Sequence, residues 1–293
     1  MYGRGACDMK GGLVSALYAA RAVADSGVQL PGDLLVACVV GEEDGGLGTF
    51  GLLQRGWSAD ACIITEPTGL DLVPANAGAL TFRLVVRGRA AHASRRGVGV
   101  SAVERFWPVF NALRDLERHR NVDVDEVMEG WGMPYPIEIG TVHAGDWVST
   151  VPATLVAEGR MGVLLGEPVT DARARLEEAV ARACRADDWL CDNPVRVEWW
   201  GGQFASGATG EDTTICERLK DQHTTFTGSK PKTWGAPYGS DLRLLTGLGG
   251  VPTVLYGPGD VSRAHGPNES LSIAEMTTAA QVLALTAVDF CSM

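Results

Sequence analysis

Leu80-Thr81-Phe82-Arg83-Leu84-Val85-Val86-Arg87 sets Leu80, Phe82, Leu84 and Val86 in alternation with Thr81, Arg83 and Arg87. This is the period-two pattern of a strand with one face in water. Upstream the pattern differs: residues 34–40 and 61–64 are short, nearly continuous apolar runs, each followed by a carboxylate-bearing loop, as in buried parallel strands. The change at Leu80 predicts an inserted α+β domain with an antiparallel sheet. Its elements are a helix with Val103, Phe106, Trp107, Phe110 and Leu113 on one side and a kink expected at Pro108, strands around 136–142 and 155–163, a helix over 171–184 and a strand over 195–200. From about Gly210 short apolar strands and helices resume: a helix over 212–219, a strand over 252–256, and a last helix opened by Ser272 and Glu275 at capping-box spacing. Near the start, Leu13, Ala16, Leu17, Ala20 and Ala24 have helical spacing and Gly27 supplies a stop. The fold class is therefore α/β, with one domain over residues 1–78 and 203–293 interrupted by an α+β domain over 79–202.

At 293 residues, 45% hydrophobic and 21% charged, the chain can bury a substantial core. No apolar run is read as a membrane span. A net charge of -11 without clustered Lys and Arg argues against nucleic acid as partner. The seven scattered cysteines point to reduced thiols and a cytoplasmic location. Residues 1–12 have no apolar signal core.

Four places carry chemistry. Asp8 lies in a glycine-rich loop, residues 3–12, directly before a helix, where it could equally serve as an N-cap. Glu42 and Glu43, followed by Asp44, crowd one strand end, and burying adjacent carboxylates without a cation costs several kcal/mol. Glu66 repeats the arrangement at the next strand end, where ligands gather in α/β sheets. His265, in a loop after the 252–256 strand, adds a nitrogen donor, completing a set suited to zinc, or to cobalt or manganese.

YGRGACDMKGG (2–12), GEEDGG (41–46), TEPT (65–68), GRAAHAS (88–94), YGSDLRLL (238–245), YGPG (256–259) and AHGPNE (264–269) follow one another along the whole chain. In this order they resemble the zinc metallohydrolases comprising aminoacylase, acetylornithine deacetylase, succinyl-diaminopimelate desuccinylase and carboxypeptidase G. The resemblance implies that Asp8 bridges two metals, that Glu43 and His265 complete one site and that Glu66 belongs to the other. It implies Glu42 as the general base and His92, in the inserted domain, as a residue reaching a neighbouring subunit's site to hold the oxyanion. A homodimer through a ferredoxin-like lid and dimerisation domain follows from the same resemblance, as does a small N-acyl amino acid or peptide substrate with a free carboxylate. Arg160, Arg243 and Asp241 are candidates for binding that substrate, an arginine fork being the natural partner of a carboxylate. Many relatives have an arginine at the position of Gly162, and the strand period keeps Arg160 on the same face.

The family also has an earlier strand ending in His-x-Asp, a motif that the sequence from Met1 onward does not contain. The expectation is an incomplete catalytic domain, from a start placed too far downstream or a truncated gene, with weak activity and a poorly held second metal. A rival reading is a non-catalytic fragment or pseudoenzyme acting through dimerisation or as part of a split protein. A weaker rival is nucleotide binding at the glycine-rich loop, which lacks the hydroxyl expected after Lys10.

Overall fold

The computed structural model describes residues 1–292. The chain enters through α1 (Gly11–Ser26), α2 (Leu47–Gln54), β1 (Cys62–Ile64) and β2 (Leu72–Asn76). It continues with β3 (Gly78–Arg87), α3 (Ala102–Arg120), β4 (Ile137–Ala144), β5 (Thr154–Val163), α4 (Val169–Arg185) and β6 (Arg196–Phe204). It returns with β7 (Gly207–Ala208), α5 (Thr214–Thr227), β8 (Thr233–Ala236), β9 (Thr253–Leu255) and α6 (Ile273–Cys291). Two compact units result: residues 1–76, 207–236 and from 240 onward form one, and residues 77–206 with 237–239 form the other.

In the first unit the sheet order is β1-β9-β2-β7, with β8 also on β2. β1 and β9 run parallel, Cys62 opposite Thr253. Leu72, Val254 and Tyr256 pack with Ala19 of α1, Ile215 and Leu219 of α5, and Val282 and Leu283 of α6. Burying side chains of this kind contributes about 1.5–3 kcal/mol each.

Two expectations for this unit need correction. Residues 34–40 form no strand, and Leu35 and Val40 are 52% and 77% exposed. An apolar run becomes a strand only where a neighbour accepts its backbone hydrogen bonds, and among the described residues no strand pairs with this one. On α1 the buried face is Gly11, Gly12, Ser15, Ala19 and Val23, while Leu17 is exposed. Small side chains let neighbours come close, and the Ser15 hydroxyl donates to the Met276 carbonyl of α6 at 3.0 Å. α6, not read from the sequence as a membrane span, is 19 residues long with a mean hydropathy of 1.2, enough to cross a membrane by length and composition alone. Its Ala279, Val282, Leu283 and Thr286 are buried against protein.

The second unit runs β-α-β-β-α-β, with all neighbours antiparallel in the order β4-β5-β3-β6. Leu80, Phe82 and Leu84 point to the face covered by α3 and α4, where they meet Phe106, Val109, Leu113, Leu176 and Val180. The opposite face carries Arg83, paired with Glu158 at 2.7 Å and Glu198 at 3.4 Å. α3 runs from Ala102 to Arg120 through Pro108 without a non-helical residue, so the expected kink does not break it.

At the end of α3, Arg120 donates to Glu167 through both terminal nitrogens, at 3.0 and 2.6 Å, and to the Gly162 carbonyl at 2.8 Å. Both partners of this pair are buried. Arg120→Ala should therefore cost about 3–5 kcal/mol, because it leaves a buried carboxylate without its main partner. Urea unfolding checks this; a loss under 1 kcal/mol would mean that Arg175, 3.4 Å from Glu167, takes over.

Candidate metal centre

The candidate ligands Asp8, Glu43, Glu66 and His265 all lie in the first unit. Asp8 sits just before α1, but it does not cap the helix: the cap position is Lys10, with no side-chain bond. Its Oδ2 instead lies 3.1 Å from His265 Nε2, which is 2.9 Å from Glu43 Oε1. The three side chains offer two carboxylate oxygens and one imidazole nitrogen, all within 4.8 Å of one another. His265 has φ +56°, a left-handed conformation costing roughly 1–2 kcal/mol for a residue with a side chain. Such strain clusters at functional sites.

Glycines bring the supports together. A Cβ on Gly12 would lie 1.9 Å from the Thr65 carbonyl, so only glycine lets α1 approach the strand end that carries Glu66. Gly46, at φ +75°, closes the turn after Glu42 and Glu43, and a Cβ there would strike Asp241 Oδ1 at 2.0 Å.

Carboxylates dominate the electrostatics. Glu66 is 7% exposed and its pKa is pushed well above the ordinary value, first by burial and then by the charges of Glu42, Asp8, Asp241 and Glu43. Glu42 is raised to about 7 by burial and by Asp241, Glu43 and Asp8, with Arg243 opposing. Asp8 is raised by burial and Glu43, while His265 counteracts this. The Glu43 charge and hydrogen bond raise His265. Asp241 Oδ1 is buried with no hydrogen-bond partner among the described residues. A divalent cation fits this set: it would relieve the mutual repulsion and meet a donor set of the right chemistry.

Of the remaining candidates, Asp241 and Arg243 lie in the first unit, close enough to act on Glu42. Asp241, 4% exposed, accepts from Thr49 Oγ1 at 2.6 Å through Oδ2. Arg243 donates to the Gly45 carbonyl at 2.7 Å and lines a cleft of about 520 Å³ with Leu47, Phe50, Leu244 and Leu248. Arg160 and His92 lie in the second unit. Arg160 donates to the Pro237 carbonyl at 3.2 Å. At Gly162, two positions on, a Cβ would come within 2.8 Å of Tyr135 Cα, so no side chain fits there without backbone movement. His92 is exposed, with Nδ1 2.8 Å from Ser94 Oγ.

Sequence reasoning missed Glu269, whose buried carboxylate accepts hydrogen bonds from the loop that carries Asp8. Its place in AHGPNE, four residues after His265, was the available signal.

The model of Peptidase family M20/M25/M40 matches residues 1–289. The chain is 29% identical over 313 residues to an N-formyl-4-amino-5-aminomethyl-2-methylpyrimidine deformylase of Halalkalibacterium halodurans, covering 99% of this chain and 72% of that protein. It is 28% identical over 300 residues to an acetylornithine deacetylase of Myxococcus xanthus, covering 99% and 73%. In fold it is similar to a tripeptidase from Staphylococcus aureus, with a TM-score of 0.78, 18% identity and coverage of 98% and 71%. The chain thus belongs to Peptidase family M20/M25/M40 and is a hydrolytic enzyme.

Proposed function

We propose that the protein is a metal-dependent amidohydrolase acting on an N-acyl amino acid or small peptide with a free carboxylate. The observation that carries this reading is the meeting of Asp8, Glu43 and His265, with Glu42 and Glu66 held in the same acidic environment. Asp8, Glu43 and His265 would hold one divalent ion and Asp8 and Glu66 would contribute to a second, zinc being the expected metal and cobalt or manganese its substitutes. Bound there, the metal supplies Lewis-acid polarisation of the scissile carbonyl.

Glu42 is the proposed general base. Its carboxylate takes a proton from the attacking water and returns it to the leaving nitrogen, a task suited to a pKa near 7. Arg243, in the wall of its cleft, and Arg160 are the proposed clamps for the substrate carboxylate. Asp241 accepts from Thr49 of α2, which favours a part in holding the turn after Glu42 and Glu43 over direct substrate contact.

The second unit is read as a ferredoxin-like lid and dimerisation domain inserted into the catalytic one, supported by its β-α-β-β-α-β order. On this reading the protein is a cytoplasmic homodimer in which His92 serves a neighbouring subunit's oxyanion.

Metal analysis combined with a panel of N-acetyl and N-succinyl amino acids, dipeptides and an N-formyl amine, each with and without chelator, tests the proposal. Chelator-sensitive hydrolysis of a carboxylate-bearing amide is expected. Turnover confined to the N-formyl amine would remove the carboxylate clamp, and no metal uptake with no turnover would overturn the hydrolase reading of this site.

A further inference from the structure

Glu269 has no part in the chemistry above, yet its carboxylate is 3% exposed and fully engaged. Oε1 accepts from Cys7 N at 3.0 Å and Asp8 N at 3.1 Å. Oε2 accepts from Gly5 N at 2.8 Å and from Arg4 Nη1 at 3.1 Å. Three backbone N–H groups of one loop thus converge on one side chain, which holds the carboxylate below its ordinary pKa. The same segment is tied down along its backbone, since Gly3 N donates to the Glu269 carbonyl at 3.1 Å. Residues 265–269 therefore offer His265 at one end and grip the Asp8 loop at the other.

We infer that Glu269 is a positioning residue that holds the Asp8 carboxylate against His265 before any cation arrives. The inference rests on reading Asp8 and His265 as metal ligands. Without Glu269 the orphaned N–H groups need an acceptor, and the loop's own anionic side chain is Asp8. Aspartate readily turns back onto its own loop to accept such bonds. An Asp8 carboxylate so occupied is lost to the metal.

The test uses the full chain, with Zn2+ alone as the probe. In the metal-free wild-type protein the Cys7 and Asp8 amides should exchange hydrogen slowly. Glu269→Gln, which sets an NH2 group against N–H donors, should weaken Zn2+ binding by about 10–100-fold, as losses of groups that orient ligands do. It should also speed exchange at those amides. Arg4→Ala, which removes only the exposed partner, should leave Zn2+ affinity and exchange nearly unchanged. Wild-type Zn2+ affinity in Glu269→Gln, or an equal loss in Arg4→Ala, overturns the inference. Free exchange of Cys7 and Asp8 in the wild type also overturns it, and that readout stands even if the variant does not fold. Failure of the wild type to take up Zn2+ would instead count against the proposed function, while the exchange data still report on the clamp.

Discussion

Glu42→Gln is expected to lower amide hydrolysis by about 10²–10⁴-fold while leaving uptake of the divalent metal nearly unchanged. Glu42 and Glu43 are adjacent, but their environments separate them. Glu43 is exposed and aims Oε1 at His265 Nε2, 2.9 Å away, as a ligand would. Glu42 is more buried, and its pKa of about 7 reflects desolvation and the charges of Asp241, Glu43 and Asp8. A carboxylate so placed can accept a proton at neutral pH and release it in the next step; glutamine of the same size cannot. Glu43→Gln should do the opposite, lowering metal affinity first and activity as a consequence. Steady-state kinetics at saturating metal, beside metal titrations of both variants, separates the two roles. If Glu42→Gln kept more than a tenth of the activity, or lost metal as fully as Glu43→Gln, the assignment of the base would fail.

How far the fold could be read from the sequence depended on whether a pattern was local. The alternation at Leu80 marks β3, which spans Gly78–Arg87, because one covered face and one wet face write themselves directly into a strand. Ser272 and Glu275 mark the start of α6 for a similar reason: Ser272 Oγ accepts from Glu275 N three residues on. Residues 34–40 misled because an apolar run specifies a strand only when a partner is present, and partnership is not local. α5 was read too short, to Leu219 instead of Thr227, because the next residue on its buried face is His223, polar by type. Its ring is satisfied inside the core by Tyr256, with Nδ1 2.8 Å from the hydroxyl. β2, separated from β3 by Ala77 alone, went unread, although all five of its residues are buried.

At the site, residue type and the family resemblance pointed to Asp8, in a glycine-rich loop, to Glu43 and Glu66 and to His265, in a loop, and the first, second and fourth converge in space. Glu269 stands in the AHGPNE segment, but its task is to accept backbone N–H bonds from residues more than 260 positions away, and no spacing encodes that contact. The same limit applies to Asp241, whose partner Thr49 is 192 positions distant.

Chelator-treated protein should lose stability as pH rises from about 4.5 to 7, and a divalent cation should reverse that trend. Glu42 has an ordinary pKa of 4.5 that folding raises to about 7, and Glu66 is raised well above 4.5. A carboxylate with a raised folded pKa contributes its full stability while protonated, below about pH 4.5. That contribution is lost as pH rises through the folded value, near 7 for Glu42 and beyond the ordinary range for Glu66. For half-buried Glu42 the loss is roughly 3 kcal/mol at most. Cation binding requires deprotonated ligands, so it stabilises more as pH rises, by about 2.7 kcal/mol at a hundredfold excess over Kd.

The buried His223 works the other way. Burial lowers its pKa, so its neutral form favours the fold at neutral pH and stability falls below about pH 6.5. Comparing wild type with Glu66→Gln cancels that contribution. The variant, without the buried charge, should be more stable than wild type at pH 7 in chelator and should gain less from Zn2+. Urea unfolding across pH 4.5–8 reads both effects. Superimposed chelator profiles for the two proteins would mean that Glu66 is already relieved by something other than a cation, and the electrostatic case for the metal centre would lose its deepest carboxylate.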